Sequence, residues 1–381
     1  MGMSGRASAL LRSVARLGVV VGFVAALLGC ASDKPKPASL EALTPQMAGR
    51  QVWQFKLPGI GFPLALTVRE GRVHAAGDDG TVVALDLATG AMLWRAQAGA
   101  PLSAGVGSDG RHAAVVTRGN ELVVFDAGRP TWRTRLPGRV LTAPLVAGER
   151  VFVLGIDRSV QAFDALDGRP LWVFQRPSDP LTLGHAGVIL PFGDSLLVGQ
   201  GARLVSLDPL RGSPRWEVAV ASPRGTNEVE RLADLVGPAV RLGSVVCARA
   251  FQSSVGCVDA VRGVLQWSRN VGGAQAVGGD EELLVAADAS DRLSAWRQGT
   301  GQLLWTSEKF LFRQLSGVAI AGRAAVFGDL EGQIHFVDRL DGRPLLRLPT
   351  DGTPIVTTPV LSGSTLLVAN RSGSVFAFRP E

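Results

Sequence analysis

A chain of 381 residues with 46% hydrophobic and 19% charged residues, 47 Gly and 22 Pro carries enough apolar material for a large core and enough turn formers for many short elements, which excludes a disordered chain. The formal net charge of +6 includes Arg6, Arg12 and Arg16, which lie in an acid-free N-terminal segment. Without that segment the excess is +3, too small and too scattered for a nucleic-acid surface.

The chain opens with a basic stretch followed by "LGVVVGFVAALL", an apolar run of 12 residues at positions 17–28. That is the length of a signal-peptide core and too short to span a bilayer. The run ends in "LLGC", which resembles the bacterial lipobox, with Gly29 before the cleavage point and Cys30 as lipid acceptor and first mature residue. Several acyl chains at about 0.8 kcal/mol per buried CH₂ give stable anchoring, so the chain is expected to be tethered to a membrane and not threaded through it. Ala31, in place of Asp, resembles the pattern sorted to the outer membrane, at its periplasmic face. Residues 1–29 therefore read as signal peptide, 30–50 as the lipidated Cys and a flexible polar, Pro-containing tether, and 51–381 as the folded domain.

Within that domain one motif recurs. "VVALDLATGAMLW" (82–94) returns as "VQAFDALDGRPLW" (160–172), "LVSLDPLRGSPRW" (204–216), "VGCVDAVRGVLQW" (255–267) and "LSAWRQGTGQLLW" (293–305), with a shortened copy in "LVVFDAGRPTW" (122–132). "IHFVDRLDGRPLL" (334–346) puts Leu346 at the Trp position, and "VFAFRPE" ends the chain at the turn. The Asp-equivalent positions, 86, 126, 164, 208, 259, 297, 338 and 379, are separated by 40, 38, 44, 51, 38, 41 and 41 residues. A period near 40 with apolar alternation and a Gly turn is one four-stranded propeller blade. The expected fold is all-β: an eight-bladed β-propeller of four-stranded antiparallel blades, whose last blade is completed by the N-terminal strand "QVWQFKL" (51–57), with Trp53 at the outer-strand Trp position. Such closure removes an open sheet edge.

In this reading the motif is structural. The glycine accepts positive φ, the Asp carboxylate caps turn N–H groups, and the Trp packs between blades with its N–H on a carbonyl. Seven of the eight tryptophans sit at this position, Trp296 being the exception.

No constellation of catalytic or metal-binding residues emerges. His74, His112, His185 and His335 form no pair at metal-ligand spacing, and no GxSxG, P-loop or dinucleotide-binding fingerprint is present. The repeated Asp residues are dispersed one per blade, which precludes a carboxylate pair. No catalytic, cofactor or metal site is expected. Cys247 and Cys257 flank a hairpin, "CARAFQSSVGC", and face each other across it either as a disulfide, which the periplasm permits, or as two buried thiols.

Two irregular stretches interrupt the blades. "PSDPLTLGHAG" (177–187) presents Leu181 and Leu183, and "SPRGTNEVERLADLVGPAV" (222–240) fills the longest interval of the repeat. Long loops on a rigid ring are either binding loops or solvated inserts.

With lipobox, tether, repeats and both loops in hand, the chain resembles the BamB family, propeller lipoproteins of the outer-membrane β-barrel assembly machinery. "EVERLADLVGPAV" is similar to that family's Glu-x-x-Arg-Leu-x-Asp-x-Asp stretch through Glu228, Arg231, Leu232 and Asp234, with Val236 where a second Asp is expected. "LTLGH" is similar to its Leu-x-Leu-Arg-Gly loop through Leu181 and Leu183, with Gly184 where Arg is expected. The resemblance implies that these loops contact the POTRA region of BamA, the barrel-inserting subunit, alongside other assembly subunits and nascent outer-membrane proteins. It implies a non-catalytic scaffold whose leucines act as apolar anchors while Asp234 and Arg231 set register with charges on the partner. Alternatives are a propeller lipoprotein of another envelope complex, or a quinoprotein-type dehydrogenase on the same repeats. The latter enzymes carry adjacent cysteines and acidic calcium ligands, and this sequence has no Cys-Cys pair.

Overall fold

The recurring tryptophan has a fixed destination. In the computed structural model, which describes residues 35–176, 181–222, 227 and 232–381, the indole of each outer strand lies on the turn glycine of the next blade. Trp53 covers Gly90, Trp94 covers Gly128, Trp132 covers Gly168, Trp172 covers Gly212, Trp216 covers Gly263, Trp267 covers Gly301 and Trp305 covers Gly342. A Cβ on any of these glycines would fall 2.5–2.9 Å from the indole, and each has positive φ, +73° at Gly90. Indole N–H groups complete the contact by donating to carbonyls of the same turns: Trp53 to Leu87 at 3.0 Å, Trp172 to Pro209 at 3.0 Å and Trp305 to Arg339 at 2.9 Å. The Asp of the motif caps its turn, Asp86 Oδ1 accepting from Thr89 N at 2.8 Å and Asp208 Oδ1 from Leu210 N at 2.8 Å.

These contacts link eight four-stranded antiparallel sheets into a ring. The first blade, Thr67–Arg69, Arg72–Ala76, Thr81–Asp86 and Met92–Gln97, shows the pattern the others follow. Its two middle strands are buried almost throughout, because neighbouring blades cover both faces, and its outer strand alternates between exposed and half-buried residues. A bulge falls beside the Trp pair of the outer hairpin, between Ala84 and Leu85 here and between Ser206 and Leu207 three blades on.

The last blade has Val360–Ser362, Thr365–Ala369 and Ser374–Pro380 from the C-terminus, and its outer strand is Gly49–Lys56, paired antiparallel with Ser374–Pro380. The expected propeller and its closure are both present. Closure also explains Leu346. The last blade has no turn between its third and outer strands, because Gly49–Lys56 supplies the outer strand, so no turn glycine waits for an indole. The Leu346 side chain faces Gly49 instead, 3.4 Å from where a Cβ would stand, and an apolar cleft of about 240 Å³ opens beside it among Met47, Phe336, Leu348, Leu361 and Phe378.

Part of the stretch expected as a tether is packed on the blades. Ala38–Glu381 is one compact unit, and residues 38–48 are docked on the propeller. Ala38 N donates to Leu311 O at 2.9 Å, Gln46 N donates to Leu345 O at 2.8 Å, and Lys309 pairs with Glu41 at 2.7 Å. Leu40 and Met47 pack against the apolar clusters of the last blades. Arg313, itself held by the buried Asp329 at 2.8 Å, donates to Ala38 O at 2.8 Å. Cys247 and Cys257 are cross-strand partners of Val245–Ala250 and Ser254–Asp259 and form a disulfide. No helix among the described residues is long and apolar enough to cross a membrane.

Candidate partner-docking surface

Up-and-down strand order sends the connections between blades to one face, together with the turns joining each blade's second and third strands. Both irregular stretches are connections between blades, so they share that face. Their described parts meet between the fourth and fifth blades. Gly187 and Val236 form an antiparallel bridge, Gly237 N donates to Ala186 O at 3.0 Å, and Leu235 N donates to Gly201 O at 2.9 Å. The ring of His185 lies 5.6 Å from that of Phe251, and burial lowers the His185 pKa, which favours its neutral form.

Asp234 sits at the centre of this junction. Its Oδ2 accepts from Leu183 N at 3.0 Å, and its Oδ1 accepts from Arg158 Nε at 3.0 Å, with Arg158 Nη2 at 2.8 Å. Asp234, expected to face a charge on the partner, is engaged inside the molecule: it is only 14% exposed and faces a guanidinium that is 17% exposed. Leu181 and Leu183, the apolar anchors expected from the sequence, are half-buried, as is Leu232. Glu228, Arg231 and Cys30 lie outside the described residues. Val236, where the family pattern has a second Asp, is buried in the strand Leu235–Leu242, a place that suits an apolar side chain. Arg158 escaped the sequence reading altogether, because it lies in a tight turn of the third blade, 76 residues from Asp234.

The quinone-enzyme features have no counterpart in the described residues. The two blade cysteines are 10 residues apart and bonded to each other, and no group of three His, Cys, Asp or Glu side chains is placed to hold a metal ion.

Fold and site together define an eight-bladed propeller of the quinoprotein-repeat type whose irregular loops are gathered on one face. The profile described as outer membrane protein assembly factor BamB matches residues 38–101 and 78–307. Relatives of that name are 35% identical in Burkholderia pseudomallei, over 92% of this chain and 94% of the relative, and 35% identical in Bordetella pertussis, over 95% and 96%. The chain belongs to the BamB family of outer membrane protein assembly factors. The crystal structure of BamB from Moraxella catarrhalis superposes with a TM-score of 0.79 at 20% identity, covering 87% of this chain and 99% of that one. A quinohemoprotein alcohol dehydrogenase from Comamonas testosteroni shares the fold, with a TM-score of 0.67 at 14% identity over 87% of this chain and 76% of that one.

Proposed function

We propose that this chain is a non-catalytic scaffold of the outer-membrane protein assembly machinery, lipid-anchored through Cys30 at the periplasmic face and docked on the POTRA region of BamA. Family membership supports the assembly role. The observation that carries the docking site is the convergence of the two irregular connections, joined by Asp234, on one face of a rigid ring. Leu181, Leu183 and Leu232 supply partly covered apolar surface, and completing the burial of each contributes about 1 kcal/mol to binding. The charges that the resemblance assigns to Glu228 and Arg231 steer the encounter more than they hold the complex. Docking of this kind places the remaining blades beside nascent outer-membrane proteins.

The test is recovery of partners with the full-length, detergent-solubilised protein, parent against Leu181→Asp/Leu183→Asp, identified by mass spectrometry. BamA with the parent and its loss with the variant support both role and surface. Recovery of a different envelope complex in place of BamA overturns the assignment of the partner.

A further inference from the structure

Arg158 stands on a hydrogen-bonded turn of the kind that also joins the second and third strands of other blades. It occupies a tight turn at φ +65°, its N–H donates to Gly155 O at 3.0 Å, and its carbonyl accepts from Gln200 Nε2 at 2.8 Å. The Asp157 carboxylate caps the same turn through Ser159 N at 3.0 Å. From this base the guanidinium reaches Asp234 on the far connection and, through Nη2, the carbonyl of Leu181 at 3.4 Å. The second oxygen of Asp234 takes the Leu183 amide at 3.0 Å. Three elements distant in sequence therefore meet in one chain of bonds, from Arg158 in the third blade through Asp234 to the backbone on either side of Thr182. The backbone of Gly201 lies against both charged groups, with Arg158 Cζ and Asp234 Oδ1 each 3.6 Å from where a Cβ would stand.

We infer that Arg158 is the positioning residue of the docking loops. Through Asp234 it fixes the backbone of residues 181–183, so that both leucines are presented in one arrangement before a partner arrives. The inference rests on the docking reading above. Without the clamp the loop must be ordered on binding, which lowers affinity without removing a single contact with the partner. Because the pair is largely buried, salt screens it much less than it screens rim charges.

The experiment compares full-length parent, Arg158→Met, Asp234→Asn and Leu181→Asp in two measurements: hydrogen exchange at the Leu183 amide, and affinity for the purified periplasmic region of BamA at low and high salt. Arg158→Met and Asp234→Asn are expected to speed exchange at Leu183 at least tenfold and to weaken binding about tenfold at both salt concentrations, with other blade amides unchanged. Leu181→Asp is expected to abolish binding while leaving Leu183 exchange near the parent's. Parent-like exchange and binding in both Arg158→Met and Asp234→Asn, with binding lost in Leu181→Asp, overturns the clamp and leaves the docking surface standing. If Leu181→Asp binds like the parent, the docking reading fails and the inference that depends on it falls, while Leu183 exchange still reports whether the clamp exists. Asp234→Asn keeps the side-chain volume, so it decides the matter if Arg158→Met does not fold.

Discussion

Trp53 and Gly90 close the ring: the indole of the first strand lies on the first turn glycine, and its Nε1 donates to Leu87 O at 3.0 Å. One residue near the start of the folded chain thereby joins the last blade to the first. The same contact recurs within the chain at each blade that owns a turn, so the closing junction uses the same chemistry as the others and not a special latch. Trp53→Ala is expected to lower stability by about 3–5 kcal/mol, the usual cost of truncating a buried aromatic, read as a shift of the denaturant midpoint.

The turn glycines separate conformational strain from steric contact. Gly148 has φ +56° with nothing near its Cβ position, whereas Gly90 has φ +73° with Trp53 2.6 Å away. Gly148→Ala should cost about 1–2 kcal/mol, from the left-handed backbone alone. Gly90→Ala should cost clearly more, because the indole must also move; equal losses at the two sites would refute the packing role of the motif.

At the junction without a turn, Leu346→Trp introduces the indole found at the other junctions into the apolar cleft of about 240 Å³ beside it. The substitution is expected to leave the fold intact and raise the melting temperature by a few degrees, equivalent to about 1 kcal/mol. A lowered melting temperature would show that the cleft cannot take an indole.

Burial and the nearby Arg72 push the pKa of His74 from 6.5 down to about 4. The folded chain therefore resists protonating a group that the unfolded chain protonates readily. Stability associated with the neutral ring is fully present above pH 6.5 and is lost as pH falls toward 4, by about 3 kcal/mol in all. His74→Leu should flatten the stability profile across that window, measured by denaturant titrations at successive pH values, and an unchanged slope would assign the acid sensitivity to other groups.

The Cys247–Cys257 bridge spans 10 residues of chain. A loop that short restricts the unfolded state by about 3 kcal/mol at most. Cys247→Ala/Cys257→Ala should therefore fold and show a reduced denaturant midpoint, with the far-ultraviolet spectrum of the parent.

What the sequence reveals about this fold is what repeats locally. Asp, Gly and Trp recur at fixed spacing because each blade solves the same turn and the same inter-blade contact, and a final repeat that stops one strand short points to residues 51–57 as its completion, where the observed strand is Gly49–Lys56. The reason for Leu346 emerges only once closure is known, since the missing turn is a property of the ring. Residues 38–48 look like a tether because they continue a Pro-containing stretch in which Pro45 interrupts the spacing of Leu40, Leu43 and Met47, and much of the docking is through backbone and long side chains from the last blades. The candidate surface is half legible. Leu181, Leu183, Leu232 and Asp234 lie where two irregular stretches break the period, but the partner of Asp234 is set by the ring geometry, and nothing in the sequence around Arg158 indicates it.

The face carrying the connections between blades is the one proposed to meet BamA. It is tested most directly by placing a photo-crosslinking residue at position 183 in the full-length protein, with a control at Leu340, a 62% exposed residue in a turn on the opposite face. A crosslink to the POTRA region of BamA is expected from position 183 and none from position 340. A BamA crosslink from position 340 but not from 183 would contradict it.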